Sequence, residues 1–248
     1  MSYSIQFSGI TPAGLHRSQN QDNMVCNGNI IAKDTTSSKM VYGKLNVKHD
    51  IVFGVFDGMG GVLWGEKASM LAAKNAEEID VTHGAVEGLL DYCIKANNAI
   101  YSYGKDNNLE SIGTTAAILV FSSHNISLCN LGDTKIFRIS KNRMEQISTD
   151  HIMQIPGGKR YLTQNLGASN NPADLKPYIA FGEYRRGDQY LICSDGLTDM
   201  IGENEIMRII NENCFEEAVP MLLNAALTHG GKDNITIILC KVLHNLFR

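Results

Sequence analysis

Apolar runs too continuous for strands with one wet face, several of them meeting an aspartate at one end, set the main constraint on this fold. In VFGVFDGMGG (residues 52–61) an apolar run with one glycine stops on Asp57, and a loop nearly free of side chains follows. LICSDG (191–196) repeats the order, and GGKDNITIIL (230–239) reverses it, the aspartate coming first. Residues 50–56, 116–121, 126–130, 135–139, 189–193 and 234–242 are predicted strands, covered on both faces because so few of their positions are polar. Two pairs of helices are predicted, 65–79 with 83–103 and 203–213 with 216–229; in the second of these, Ala85, Leu89, Tyr92, Ala96 and Ala99 recur at three- and four-residue spacing. Helices in two blocks between blocks of strands do not match the βαβα alternation of a parallel fold. LGDTKI (131–136) reads as the turn of an antiparallel hairpin. Residues 33–44 and 104–113 read as polar connections rather than domain boundaries. The expected class is α+β, an antiparallel sandwich with helices covering sheet.

A hydrophobic content of 44% and a charged content of 19% describe a chain that buries a core. The net charge of −4 argues against nucleic acid or an anionic membrane as partner, since both need a basic footprint. No apolar run reaches the length of a membrane span, and MSYSIQFSG lacks the basic and apolar regions of a secretory leader. The six cysteines form no C-x-x-C pair, and Cys129, Cys193 and Cys240 sit inside apolar runs, as reduced, buried cysteines do. A cytoplasmic protein is expected.

Asp22, Asp57, Asp133, Asp195 and Asp233 each stand at a strand end or turn beside glycine or a small polar residue. Singly, each reads as turn chemistry. Together they are another matter, because a sandwich aligns strand ends along one edge and converging carboxylates repel at low dielectric. A divalent cation among them removes the conflict. Carboxylate oxygens and backbone carbonyls are hard ligands that suit Mg²⁺ or Mn²⁺ rather than zinc. Arg17, five residues before Asp22, offers the planar fork that recognises a phosphate.

In order, RSQNQDN, VFGVFDGMGG, GTTAAILV, LGDTKIFRI, STDH, LICSDGLTDM and GGKDNITIIL make the chain similar to the metal-dependent protein serine/threonine phosphatases of the 2C type, in their compact bacterial form. The resemblance runs from about residue 9 to 242. It implies one catalytic domain over 1–248 folded as a four-layer αββα sandwich, two antiparallel sheets face to face with helix pairs outside. It implies two Mn²⁺ or Mg²⁺ ions bridged by Asp57, with the Gly58 carbonyl on one ion and Asp195 and Asp233 on the other. Gln21 and Asp22 lie beside the metals, Asp133 with Asp195 binds a weaker third ion, and Arg17 binds the substrate phosphate. The implied catalytic residues are Arg17 and Asp57, and the implied reaction is direct hydrolysis of phosphoserine and phosphothreonine in proteins by a metal-bridging water. Phosphorylated proteins, a cognate serine/threonine kinase whose work is reversed, and a monomeric state are the implied partners and assembly. An inactive phosphoprotein-binding domain and a small-molecule phosphoesterase are the competing functions.

The chain departs from the pattern in places. Met59 stands where some members have histidine, and Val62 where bacterial members usually have one, so no general acid is assigned. Only IMQIPGGKRY separates Asp150-His151 from LTQNLG (162–167), which implies a shortened flap with a tight glycine turn, and places Lys159 and Arg160 where a phosphoprotein could reach them. His151 is expected to form structural hydrogen bonds, Ser194 to support a ligand from a buried turn, and Trp64 to pack in the core.

Overall fold

The computed structural model describes residues 3–30, 39–59, 64–141, 143–155 and 160–244. The strands are β1 (Tyr3–Ile10), β2 (Asn23–Cys26), β3 (Asn29–Ile30), β4 (Val41–Asn46), β5 (Ile51–Phe56), β6 (Gly58–Met59), β7 (Gly113–Thr114), β8 (Ala116–Phe121), β9 (Asn125–Leu131), β10 (Lys135–Ser140), β11 (Arg143–Gln146), β12 (Ile152–Gln154), β13 (Arg160–Leu162), β14 (Tyr178–Glu183), β15 (Gln189–Cys193) and β16 (Ile237–His244). The helices are α1 (Gly65–Ala76), α2 (Ala85–Asp106), α3 (Asp195–Thr198), α4 (Glu203–Glu212) and α5 (Phe215–Thr228). One six-stranded sheet has the order β11-β10-β15-β16-β1-β4, and the other β14-β9-β8-β5-β2-β3. Every pairing in both is antiparallel.

The continuous apolar character of the strands follows from the layers. Successive side chains point to opposite faces of a strand. In β8, Ala117, Leu119 and Phe121 enter the core between the sheets, while Ala116, Ile118 and Val120 pack under α1 and α2. In β16, Ile238, Cys240 and Val242 face the other sheet, and Ile237 and Leu239 face α4 and α5. Both alternating sets are buried, so neither face has room for a polar residue. The result is the expected αββα sandwich, with three apolar cores stacked between its four layers.

Several expectations are corrected in detail. Gly132–Thr134 does not turn a hairpin: β9 belongs to one sheet and β10 to the other. The chain crosses between the layers there, with Gly132 at φ 100°, and Asp133 lands on the seam between the sheets. The polar stretch 33–44 contains the first part of β4, an edge strand whose side chains alternate between partial burial and exposure. β16 begins three residues later than predicted, because Asn234 and Thr236 are used by the site. Residues 31–38, 60–63, 156–159 and 245–248 lie outside the described residues. The positions of Gly60, Gly61, Val62, the Gly157–Gly158 turn and Lys159 go with them. What is described of the flap is short: β12 and β13 pair as a small ladder of its own. Trp64 packs as expected, its ring 6.1 Å from that of Tyr103.

Candidate active site

Strand register brings the five aspartates to one end of the sandwich. Asn23 pairs with Phe56, so Asp22 and Asp57 leave neighbouring strands side by side. Cys193 pairs with both Lys135 and Ile237, which draws together Asp195 after β15, Asp133 before β10 and Asp233 before β16. The two groups meet across the sheets in a cleft of about 640 Å³. Asp57, Gly58, Asp133, Asp195 and Asp233 line it with Arg17, Gln21 and Met59. Asp22 sits behind that lining, buried.

Each carboxylate is held by its surroundings. The backbone of Asp57 is fixed on both sides: its N–H donates to Thr115 Oγ1 at 2.9 Å, and its carbonyl accepts from Thr114 Oγ1 at 2.8 Å and from Thr115 N at 2.9 Å. Thr115 Oγ1 in turn lies 2.5 Å from Thr134 Oγ1, tying Asp57 to the crossover that carries Asp133. Asp22 Oδ2 accepts from Ser194 Oγ at 2.8 Å and from Thr236 Oγ1 at 2.6 Å. A hydroxyl has one proton. Since Thr236 gives its proton to Asp22, the 2.7 Å contact between Thr11 and Thr236 has Thr11 as donor. Asn20 Nδ2 then donates to Thr11 Oγ1 at 3.0 Å, so the relay Asn20, Thr11, Thr236 ends on the Asp22 carboxylate.

Packing at the glycine after Asp57 is equally tight. A Cβ on Gly58 would lie 2.2 Å from the Gly65 carbonyl oxygen and 2.4 Å from that of Gln21. Only glycine lets these three backbone segments approach, which is how the start of α1 and the loop before Asp22 come to flank Asp57.

The electrostatics of the cleft are those of crowded, buried carboxylates. Burial, then the charges of Asp22, Asp195, Asp133 and Asp233, hold the Asp57 carboxyl well above the usual carboxylate range. Burial, followed by Asp133, pushes Asp195 up to about 7. Asp22 is pushed up to about 6 by burial, against the pull of its two hydroxyl donors. Asp133 is also raised, chiefly by burial. Among the described residues the cation in contact with these carboxylates is Arg17, whose guanidinium gives an N–H to Asp233 Oδ2 at 2.6 Å. Arg17 is half exposed and reaches the cleft from a loop tied down by Asn234, which accepts from Gln21 N at 2.9 Å and donates to the carbonyls of Ala13 and Gln19 at 3.0 Å each.

Such a set of oxygen donors fits Mg²⁺ or Mn²⁺. Among the described residues no three His, Cys, Asp or Glu side chains close round one point as a ready-made cage. That suits a hard ion which takes one or two carboxylates and completes its shell with water.

The other expectations are placed as follows. Ser194 is buried and donates to Asp22, so it supports that carboxylate directly. His151 accepts from Gly132 N at 3.2 Å through Nδ1, and its backbone N–H donates to the Gly132 carbonyl at 2.9 Å, a brace for the crossover. Arg160 is spoken for by Asp199 at 2.5 Å, which anchors β13 to the end of α3. Asn234, Thr236, Thr115 and Thr134 were not singled out from sequence, although Asn234 and Thr236 lie within GGKDNITIIL. His16, which stands at no ligand spacing from another histidine in the sequence, lines the cleft beside Arg17.

The chain is also similar to known proteins in sequence and fold. Residues 14–171, more than half of the chain, match the family Protein phosphatase 2C. The chain belongs to the protein phosphatase 2C family. Among curated 2C-type relatives, the serine/threonine protein phosphatase PstP of Mycobacterium tuberculosis is 29% identical over 202 residues, 75% of this chain. The chain spans 39% of that relative's length. Protein phosphatase PhpP of Streptococcus pneumoniae is 27% identical over 205 residues, covering 74% of this chain and 82% of PhpP. The crystal structure of the PstP catalytic domain in complex with two manganese ions superimposes with a TM-score of 0.78 at 22% identity, over 98% of this chain and all of that domain.

Proposed function

We propose that this chain is a single catalytic domain that hydrolyses phosphoserine and phosphothreonine in proteins with the help of two Mn²⁺ or Mg²⁺ ions and a weaker third. The observation that carries the reading is one cleft lined by four carboxylates and one arginine, with a fifth carboxylate buried behind them, in a chain of the 2C family. Asp57 would bridge two ions and Gly58 would offer its carbonyl. Asp195 and Asp233 would hold the second ion, Asp133 and Asp195 the third, with Asp22 and Gln21 supporting the waters beside them. Bound cations supply charge at the phosphoryl oxygens and acidify a water. The chain's own part is positional. Arg17 presents its remaining N–H donors to the phosphate while Asp233 keeps the guanidinium facing the cleft. Thr114 and Thr115 fix the Asp57 backbone so that its carboxylate cannot retreat from its neighbours. No serine or cysteine nucleophile is needed, and among the described residues none lines the cleft except Ser18 in the arginine loop.

A cytoplasmic location and an opposing serine/threonine kinase belong to the same proposal. No described helix is long and apolar enough to cross a membrane. The test is release of phosphate from a phosphothreonine peptide with and without Mn²⁺, by the native protein and by Asp57→Asn and Asp233→Asn. Metal-dependent turnover that collapses in both variants is expected. Equal turnover in the variants, or none with any divalent ion, would overturn the reading and leave a binding domain in its place.

A further inference from the structure

Resting on the phosphatase reading, one step of the reaction still lacks a residue. A serine or threonine oxygen leaves phosphorus as a strongly basic alkoxide unless it is protonated as the bond breaks, and a positioned general acid typically supplies that proton. Among the described side chains lining the cleft, the aspartates carry the negative charge that cations require, Arg17 does not give up a proton, and Met59, Leu162, Thr115, Ser18, Gln19, Gln21 and Asn234 are not the side chains that serve as general acids. His16 is the exception. It is exposed, it lines the cleft, and its imidazole has no hydrogen-bond partner among the described residues.

Its backbone, by contrast, is held firmly. The Leu15 N–H donates to the Gly231 carbonyl at 2.8 Å, and Asn234 Nδ2 holds the Ala13 and Gln19 carbonyls on either side. Gly14 takes φ 76° so close to the Asp233 carbonyl that a Cβ there would lie 2.1 Å from it. The turn that carries His16 and Arg17 is thereby clamped to the segment that carries Asp233. An exposed imidazole on a fixed backbone, lining the cleft next in sequence to Arg17, is within the cavity that a phosphorylated side chain would enter.

We propose that His16 is a catalytic residue, the general acid that protonates the leaving serine or threonine oxygen. A water oxygen forms the new bond to phosphorus. The bond from phosphorus to the seryl oxygen breaks with its electron pair going to that oxygen, which takes the proton of the His16 imidazolium. The proton shed by the attacking water passes to solvent, and solvent reprotonates the imidazole, so the net change is addition of one water.

The test compares two leaving groups on the metal-loaded protein. An aryl phosphate such as p-nitrophenyl phosphate leaves without needing a proton, whereas a phosphothreonine peptide needs one. In His16→Gln and His16→Ala, kcat for the peptide should fall about 100-fold, with KM little changed, and the ratio of aryl to peptide turnover should rise by a similar factor. As a readout apart from turnover, the His16 imidazole nitrogen signals should shift when inorganic phosphate is added to the Mg²⁺-loaded protein. Equal losses on both substrates, a loss confined to KM, unchanged peptide turnover, or imidazole signals indifferent to phosphate would each overturn the assignment. These outcomes leave the phosphatase reading standing, because that reading fails on other results: no turnover with any divalent ion, or equal turnover in Asp57→Asn and Asp233→Asn.

Discussion

Replacing Ser194 with alanine should loosen the site from beneath, and the effect should depend on pH. Ser194 is fully buried, its hydroxyl donates to Asp22 at 2.8 Å, and it accepts from the Thr236 N–H at 3.0 Å. Ser194→Ala removes a hydrogen bond to a charged group, worth about 1.5–3 kcal/mol, and strands a buried backbone N–H at about 1–3 kcal/mol. Partial relaxation makes a total loss of about 2–4 kcal/mol the reasonable expectation at pH 8. For a chain of this size that is roughly 4–16 °C in Tm. Asp22 sits at about 6 when folded, raised above its ordinary 3.8. Its contribution to stability is therefore fully present below 3.8 and lost as pH rises through about 6. The Ser194 hydroxyl offsets part of that loss by favouring the charged form. At pH 5 the carboxyl is protonated in native and variant alike, and the bond removed is a neutral one, weaker by about 1 kcal/mol. Urea unfolding of both proteins without divalent cation, at pH 5 and pH 8, measures the difference. A variant that loses the same amount at both pH values, or less than about 0.5 kcal/mol at pH 8, would refute the role given to Ser194.

Two further outcomes follow from the packing and the charge of the cleft. A Cβ on Gly196 would lie 1.9 Å from the Asn234 carbonyl oxygen, so Gly196→Ala should push α3 off the Asp233–Asn234 segment at a cost of about 1–3 kcal/mol; Gly202→Ala, with nothing within 4 Å, should stay within about 0.5 kcal/mol in the same denaturant assay. Asp195, raised to about 7, contributes stability that is lost as pH rises through that value in the absence of cation. The gain in Tm on adding Mg²⁺ should accordingly be larger at pH 8 than at pH 5.5 in a thermal scan, and a gain independent of pH would contradict the electrostatic account.

The sandwich was legible because its central strands are buried on both faces. β8 and β15 match their predicted bounds residue for residue, since Ala116–Phe121 and Gln189–Cys193 have no polar interruption inside them. The first strand was missed: YSIQFSGI alternates serine and glutamine with apolar residues, and its buried serines hide the burial. LGDTKI has the composition of a hairpin turn, and nothing local distinguishes a turn within one sheet from a crossing between two. The five aspartates and Arg17 could be picked out from their neighbours in sequence. Asn234 could not, because its role is to bond the backbone of a loop more than two hundred residues away in the chain. His16 was invisible for the same reason: only the fold lays the Gly14–Arg17 turn against Asp233 and into the cleft.

The most direct test of the account is anomalous diffraction from crystals of the native protein grown or soaked in Mn²⁺. The prediction is two strong manganese peaks sharing Asp57 as a ligand, with the Gly58 carbonyl on one and Asp195 and Asp233 on the other. A map with no manganese at this cluster in millimolar metal, or with ions held away from Asp57, would contradict it.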